Sequence, residues 1–205
     1  MSKLDLSKKK INIRNLATKA LADKELLAKL LENMRVKDCN VRFNSFKALL
    51  EISTSHPKVL YPKWDYFVEL LFSKNTYERY QAIFLISNLV SVDKQKKFDK
   101  LFDKYFGILS EKVTIVPATL VVNAGKIAKA KPKLQAKITK KLLNIEKIHK
   151  GKQIEMIKAG VIEAFDDYFE EVKDKKKILA FVEKQLESES PKTKKAAKDF
   201  LDKKS

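Results

Sequence analysis

A stretch beginning at Asn40, NVRFNSFKALLEI, is matched in altered form, at an offset of 37 residues, within TYERYQAIFLISNL from Thr76. The two align with Arg42 on Arg79, Phe46 on Ile83, Leu49 on Ile86 and Ile52 on Leu89. A third copy, TIVPATLVVNAGKIAKAKPKL, places Ile127 and Lys131-Pro132 75 residues beyond Ile52 and His56-Pro57, two steps of about 37 or 38. A fourth, QIEMIKAGVIEAFDDYF, sets Val161 and Ala164 37 residues after Ala124 and Ile127. Self-similarity at this period constrains the fold more than any other feature. A unit so short cannot bury its own apolar face, so neighbouring units must stack and share one core.

Each copy carries two apolar stripes of helical period. Val41, Phe46, Leu49, Leu50 and Ile52 mark a first helix, and Tyr66, Phe67, Leu70 and Leu71 a second, with Pro57 and Pro62 between them. Proline is tolerated at a helix start but not in its interior, so these prolines separate the two helices. In the second copy Phe98, Leu101, Phe102, Tyr105 and Phe106 recur at steps of three and four, the spacing of one helix face. With only four glycines and five prolines in 205 residues, the chain lacks the turn formers that an all-β fold consumes. The expectation is an all-α single domain over 1–205, with N-terminal cap helices in 1–37, repeats at 38–75, 76–113, 114–151 and 152–189, and a C-terminal cap helix in 190–205. In the first cap Leu26, Leu27, Leu30 and Leu31 form the core face. In the last, Ala196, Ala197, Phe200 and Leu201 cover the final pair.

The two-helix unit of 37 to 38 residues, the arginine early in the first helix of NVR and YER, and the proline-marked turn before the second helix resemble HEAT repeats, over roughly Asp38 to Glu189. The third copy departs from the pattern with Pro117 where the arginine would stand, and the fourth has no arginine, so any arginine ladder is incomplete. The resemblance implies a right-handed α-α superhelix of about four to five helix pairs, with second helices lining its concave face. It also implies an adaptor, scaffold or regulator, since catalysis is rare among such proteins.

The equipment of common enzyme classes is sparse. Histidine occurs only at His56, read as a turn between helices, and His149, read as a polar residue near a helix end. The one cysteine, Cys39, permits no intramolecular disulfide and no cysteine-built metal site, and is read as a part-buried small residue. Gly107, Gly125, Gly151 and Gly160 stand singly and form no phosphate-cradling loop. Asp166, Asp167, Glu170 and Glu171 cluster, but they run along a helix end followed by KDKKK, which reads as a self-compensating surface rather than a converging acid and base. No catalytic residue, metal site or cofactor is expected. The N-terminus has positive charge without an apolar signal-peptide core behind it, and no window approaches about 18 apolar residues. A soluble, cytoplasmic protein with no membrane span is expected.

The net charge of +18 is unevenly placed. Residues 1–37 hold ten basic and four acidic residues, and 114–151 hold nine lysines against Glu146 alone, whereas 38–113 and 152–205 are closer to balance. Within the third repeat, Lys133, Lys137, Lys140 and Lys141 recur at three and four and share one side of a helix, and Lys126 and Lys129 precede them. These six lysines are the candidate binding surface for a polyanion or an acidic partner. A Lys-rich face also serves simply to keep a stacked protein soluble. Only four of the 44 basic residues are arginine, which disfavours sequence-specific base readout. Tyr61 and Trp64 are candidate aromatic anchors, although helical spacing places most aromatics in the core. Two functions stay open. The first is a non-catalytic adaptor for a macromolecular partner, foremost a protein; the second is a non-sequence-specific nucleic-acid binder using backbone contacts.

Overall fold

The computed structural model describes residues 5–204, so residues 1–4 of the N-terminal cap segment and Ser205 of the C-terminal one lie outside the described residues. Among the described residues the chain is all-helical, with no strand. It divides into two compact units, 1–92 and 93–205. The division falls between the two helices of the 76–113 segment, a place that the repeat pattern does not mark.

The first unit contains α1 (Ile13–Ala22), α2 (Lys24–Glu32), α3 (Cys39–Ser55), α4 (Pro57–Leu60), α5 (Trp64–Leu71) and α6 (Thr76–Leu89). Short polar side chains start these helices by accepting from the otherwise unpaired first amides. Asn12 accepts from the Asn15 amide, Asp23 from those of Glu25 and Leu26, Asp38 from those of Asn40 and Val41, and Asn75 from that of Tyr77. Pro57 opens α4 at a position where its missing N–H is no loss. α3 packs against α1, α2 and α6. Its Phe46 meets the rings of Tyr80 and Phe84 at 5.9 and 6.1 Å, and Leu49 and Ile52 are fully buried.

The repeat arginines have a common structural role. Arg42 donates from Nη1 to the Val36 carbonyl at 2.8 Å, and Arg79 from Nε to the Leu71 carbonyl at 3.2 Å. Each guanidinium thus satisfies a carbonyl in the chain leading into its own helix. Asparagines stitch neighbouring helices: Asn88 donates to Ser53 at 2.9 Å and Thr54 at 3.1 Å, and Asn33 to Ser45 at 3.2 Å.

The second unit contains α7 (Lys97–Gly107), α8 (Ile115–Ala130), α9 (Pro132–Leu143), α10 (Ile145–Ile148), α11 (Ile154–Tyr168), α12 (Lys175–Lys184) and α13 (Pro191–Lys204). α8 and α11 form its most extensive packing, and α13 lies against α11. The α7 stripe supplies a buried aromatic cluster in which Phe98 and Tyr105 meet edge-on at 5.3 Å. Ala197 and Phe200 of α13 are buried, with Phe200 set edge-on against Phe169 at 5.1 Å.

Two side chains, Cys39 and Trp64, depart from the sequence reading, while His149 stands at a helix end as expected. Cys39 is exposed rather than part-buried, because it is the first residue of α3 and points out of the capping turn. His149 is buried at the end of α10, with Nδ1 3.2 Å from the Leu109 carbonyl. Trp64, a candidate anchor, is 2% exposed, because the first turn of α5 directs its indole into the core beside Tyr61 at 5.9 Å. A ring so enclosed offers no surface to a partner.

Candidate functional site

The lysine-rich α9 begins at Pro132 immediately after α8, and its buried residues, Ile138 and Leu142, are four apart. That narrow inward stripe fixes the helix rotation and sends the rest of its surface outward. Lys133, Lys137 and Lys140 are exposed, and Lys141 is half-buried. No ion pair engages these four lysines among the described residues.

A groove flanks α9 on each side. Toward α12, a cavity of about 700 Å³ has Ala136 and Leu143 of α9 on one wall and Val172 and Lys177 on the other. Thr139 also lines it, and lies 3.0 Å from the Tyr168 hydroxyl beneath. Burial pushes that phenol up to about 12, against the pull of the Thr139 hydrogen bond. Toward α7, a cavity of about 430 Å³ is lined by Phe102, Asp103 and Ile148 together with Lys137, Lys140 and Lys141. Lys140 and Asn144 belong to both cavities, so α9 forms a cationic crest between two partly apolar grooves. Lys173 adds charge at the far wall of the larger groove, whereas Lys177 there is paired with Asp174 at 2.7 Å.

The six candidate lysines lie on two consecutive helices, two on α8 and four on α9. Lys126 and Lys129 lie on α8 and act on Asp167 of α11. Loss of solvation pushes the Asp167 carboxyl up, while the charges of Lys126 and Lys129 pull it down and Asp166 and Glu163 push it further up. Part of the positive charge of this pair therefore answers a carboxylate of the protein itself. Lys131, in the same basic block, is drawn inward: its ammonium lies 2.9 Å from Asp93 Oδ2 and 3.0 Å from the Asp93 carbonyl. Four lysines of the 114–151 segment thus stand together on the α9 crest.

In the acidic cluster, Asp166 and Glu170 are tied into one ion-pair network through Lys204. Asp166 accepts from Lys203 at 2.8 Å and sits 3.3 Å from Lys204, and Glu170 pairs with Lys175 at 2.6 Å and Lys204 at 3.1 Å. The partners of Asp166 come from α13, which the local KDKKK sequence does not reveal. These carboxylates converge on no common cavity with a nucleophile. Among the described residues no group of three or more His, Cys, Asp or Glu is placed to hold a metal ion, and no helix is long and apolar enough to cross a membrane.

The arrangement can attract an anionic segment and bury apolar side chains beside it. Sequence reasoning located the crest but missed the grooves, whose far walls come from α7 and α12. No family model and no curated protein matches the chain. Among solved structures, an engineered protein from the Northeast Structural Genomics Consortium is similar in fold, with a TM-score of 0.52 and 17% identity over 93% of this chain and 89% of its own. A second engineered protein from the same consortium has a TM-score of 0.49 at 17% identity, covering 93% of this chain and 87% of its own.

Proposed function

We propose that this chain is a non-catalytic binding module, a HEAT-like right-handed α-solenoid, that docks an acidic amphipathic segment of a protein partner along α9. One observation carries the reading: Lys140 and Asn144 border two partly apolar grooves at once, on a crest whose lysines make no ion pair among the described residues, although Asp103 lines the smaller groove with them. A helix with acidic residues on one side and leucines at i and i+4 satisfies both demands of such a surface. Its carboxylates meet the crest and its leucines enter the larger groove beside Ala136 and Leu143. Duplex nucleic acid would use the crest but leave the grooves empty, which is why a protein segment is the better fit.

Calorimetry with a synthetic Glu/Leu amphipathic peptide, beside a peptide of the same composition in scrambled order, tests this. Binding of the first alone, lost in a Lys137→Glu/Lys140→Glu/Lys141→Glu variant and in Leu143→Asp, supports the proposal. Equal binding of both peptides, or binding indifferent to these changes, removes α9 as the site. Random-sequence duplex DNA at about 50 and 200 mM salt gives the competing result: tight binding through α9 that collapses with salt, with a slope near 0.9 per phosphate neutralised, would replace the protein partner with a nucleic acid.

A further inference from the structure

The N-terminal basic run at Lys8, Lys9 and Lys10 is not a loose tail. Asn44 of α3 donates from Nδ2 to the carbonyls of Leu6 and Lys8, both at 2.9 Å, and Asn40 donates to the Ser7 carbonyl at 2.8 Å. Leu6 is buried beneath this arm. Asp5 closes the turn by accepting from the Ser7 amide at 3.0 Å and the Ser7 hydroxyl at 2.6 Å. The arm is thereby held against α3, and the lysines that follow are presented in a fixed place.

That place is the rim of a cleft of about 750 Å³ between α1 and α3. Lys9, Lys10, Arg14 and Lys47 line it against one carboxylate, Glu51. No ion pair engages the four cations among the described residues. On the lip stands Phe43, 55% exposed, with the Lys47 ammonium 5.5 Å from its ring centroid. Leu50 supplies part of an apolar wall. Unpaired cations around an exposed aromatic ring are what an unstacked nucleic-acid strand requires, since its phosphates seek the charges and its bases seek the ring. A duplex keeps its bases stacked and cannot use Phe43. A lipid surface would call for several large apolar side chains on the same face, and Phe43 is the one strongly exposed in this cleft.

We infer that the α1–α3 cleft is a binding site for single-stranded nucleic acid. The strand's phosphates lie along Lys9, Lys10 and Arg14, and one base stacks on Phe43 as Lys47 turns from the ring to a phosphate. The site is separate from the α9 crest and does not depend on its function. Recognition is by backbone and stacking, so it carries little sequence preference.

Fluorescence anisotropy of the full chain with a fluorescein-labelled oligo(dT) of about a dozen nucleotides tests the site. Four neutralised phosphates, Lys47's included, give a salt slope near −2.8, or about a fiftyfold weakening between 50 and 200 mM salt. Phe43→Ala should weaken binding by about tenfold at either salt, leaving the slope unchanged. Lys9→Gln/Lys10→Gln/Arg14→Gln should both weaken binding and flatten the slope, while Lys137→Gln/Lys140→Gln/Lys141→Gln should do neither. All these side chains are exposed or half-exposed, and an unchanged circular-dichroism melt of each variant ensures that binding alone is read. No binding at 50 mM salt overturns the inference. So does a duplex bound as tightly as the single strand with Phe43→Ala silent, loss of binding in the α9 variant instead, or preference for anionic phospholipid vesicles over the oligonucleotide.

Discussion

Gly125 of α8 lies so close to α11 that a Cβ built on it would stand 2.5 Å from the Ala164 carbonyl oxygen and 2.5 Å from Asp167 Oδ2. The relationship is nearly reciprocal, since a Cβ on Gly160 of α11 would come within 2.9 Å of methyls of Val121 and Val122 on α8. Two glycines, each unfavourable within a helix by roughly 1 kcal/mol relative to alanine, are retained where the helices approach. Gly125→Ala should therefore destabilise the second unit by about 1–3 kcal/mol despite its better helix propensity, because the obstacle is backbone. Gly160→Ala should cost less, as valine methyls can yield. Gly107, whose Cβ would meet nothing within 4 Å, is the control, and Gly107→Ala should stabilise by up to about 1 kcal/mol. Urea unfolding of the three variants checks the order.

Asp93 is 5% exposed and accepts from the amides of Lys97 at 2.9 Å and Phe98 at 3.0 Å while pairing with Lys131. Asp93→Ala removes a helix cap and a charged hydrogen bond but leaves the Lys131 ammonium with Asp99 at 3.6 Å and the backbone carbonyl, and should cost about 2–3 kcal/mol. Lys131→Met should cost less, since the two amides still satisfy the carboxylate. Thermal unfolding at neutral pH compares them. A Lys131 variant should also bind acidic peptides as the parent does, because this lysine is not on the α9 crest.

How far this was visible in advance depends on the range over which each feature is set. The helices were legible because the stripe of Phe98, Leu101, Phe102, Tyr105 and Phe106, or the prolines at 57 and 132, act within one or two turns. The α9 crest was legible for the same reason: Lys133, Lys137 and Lys140 share a face by spacing alone. The influence of the Lys126 and Lys129 charges on Asp167 was not, because it depends on how α8 and α11 pack across some 40 residues of sequence. Trp64 was misjudged as an anchor because its amphipathic character says nothing of which way the first turn of α5 faces. The lysines at 8–10 read only as N-terminal positive charge, and the contacts of Asn40 and Asn44 with that backbone are what show an arm held against α3.

Tyr105 is fully buried among the α7 aromatics, and its hydroxyl has no hydrogen-bond partner among the described residues. Burial alone pushes its phenol far up, so it stays neutral across the accessible pH range. An unsatisfied buried hydroxyl costs about 1–3 kcal/mol, whereas the ring contributes its full packing. Tyr105→Phe should therefore stabilise the protein by about 1–2 kcal/mol, seen as a higher unfolding midpoint. A lower midpoint would show that the hydroxyl has a partner after all.

Lys158 gives the second unit a pH dependence of known sign. Its ammonium is buried and lies 2.5 Å from Glu146 and 2.5 Å from Glu155, which accepts a further bond from Ser188 at 2.6 Å. The hydrogen bond from Lys158 lowers the Glu146 carboxyl; at Glu155 burial pushes up, but the bonds from Lys158 and Ser188 together win and lower it. At Lys158 burial pushes down and the two glutamates overcome it, raising the ammonium. Stability from the depressed glutamates is complete above their unfolded value of about 4.3 and is lost as pH falls through the lower folded values. Stability from the raised lysine is complete below its unfolded value of about 10.4 and is lost as pH rises through its folded value. Unfolding free energy followed from pH 2 to 11 should hence show a plateau between these limits, falling on both sides. Lys158→Met removes the partner that shifts both glutamates, so its profile should lie lower on the plateau, where the paired charges are lost, and approach the parent at the acid end. A variant curve parallel to the parent throughout would mean that the triad contributes nothing to the pH dependence.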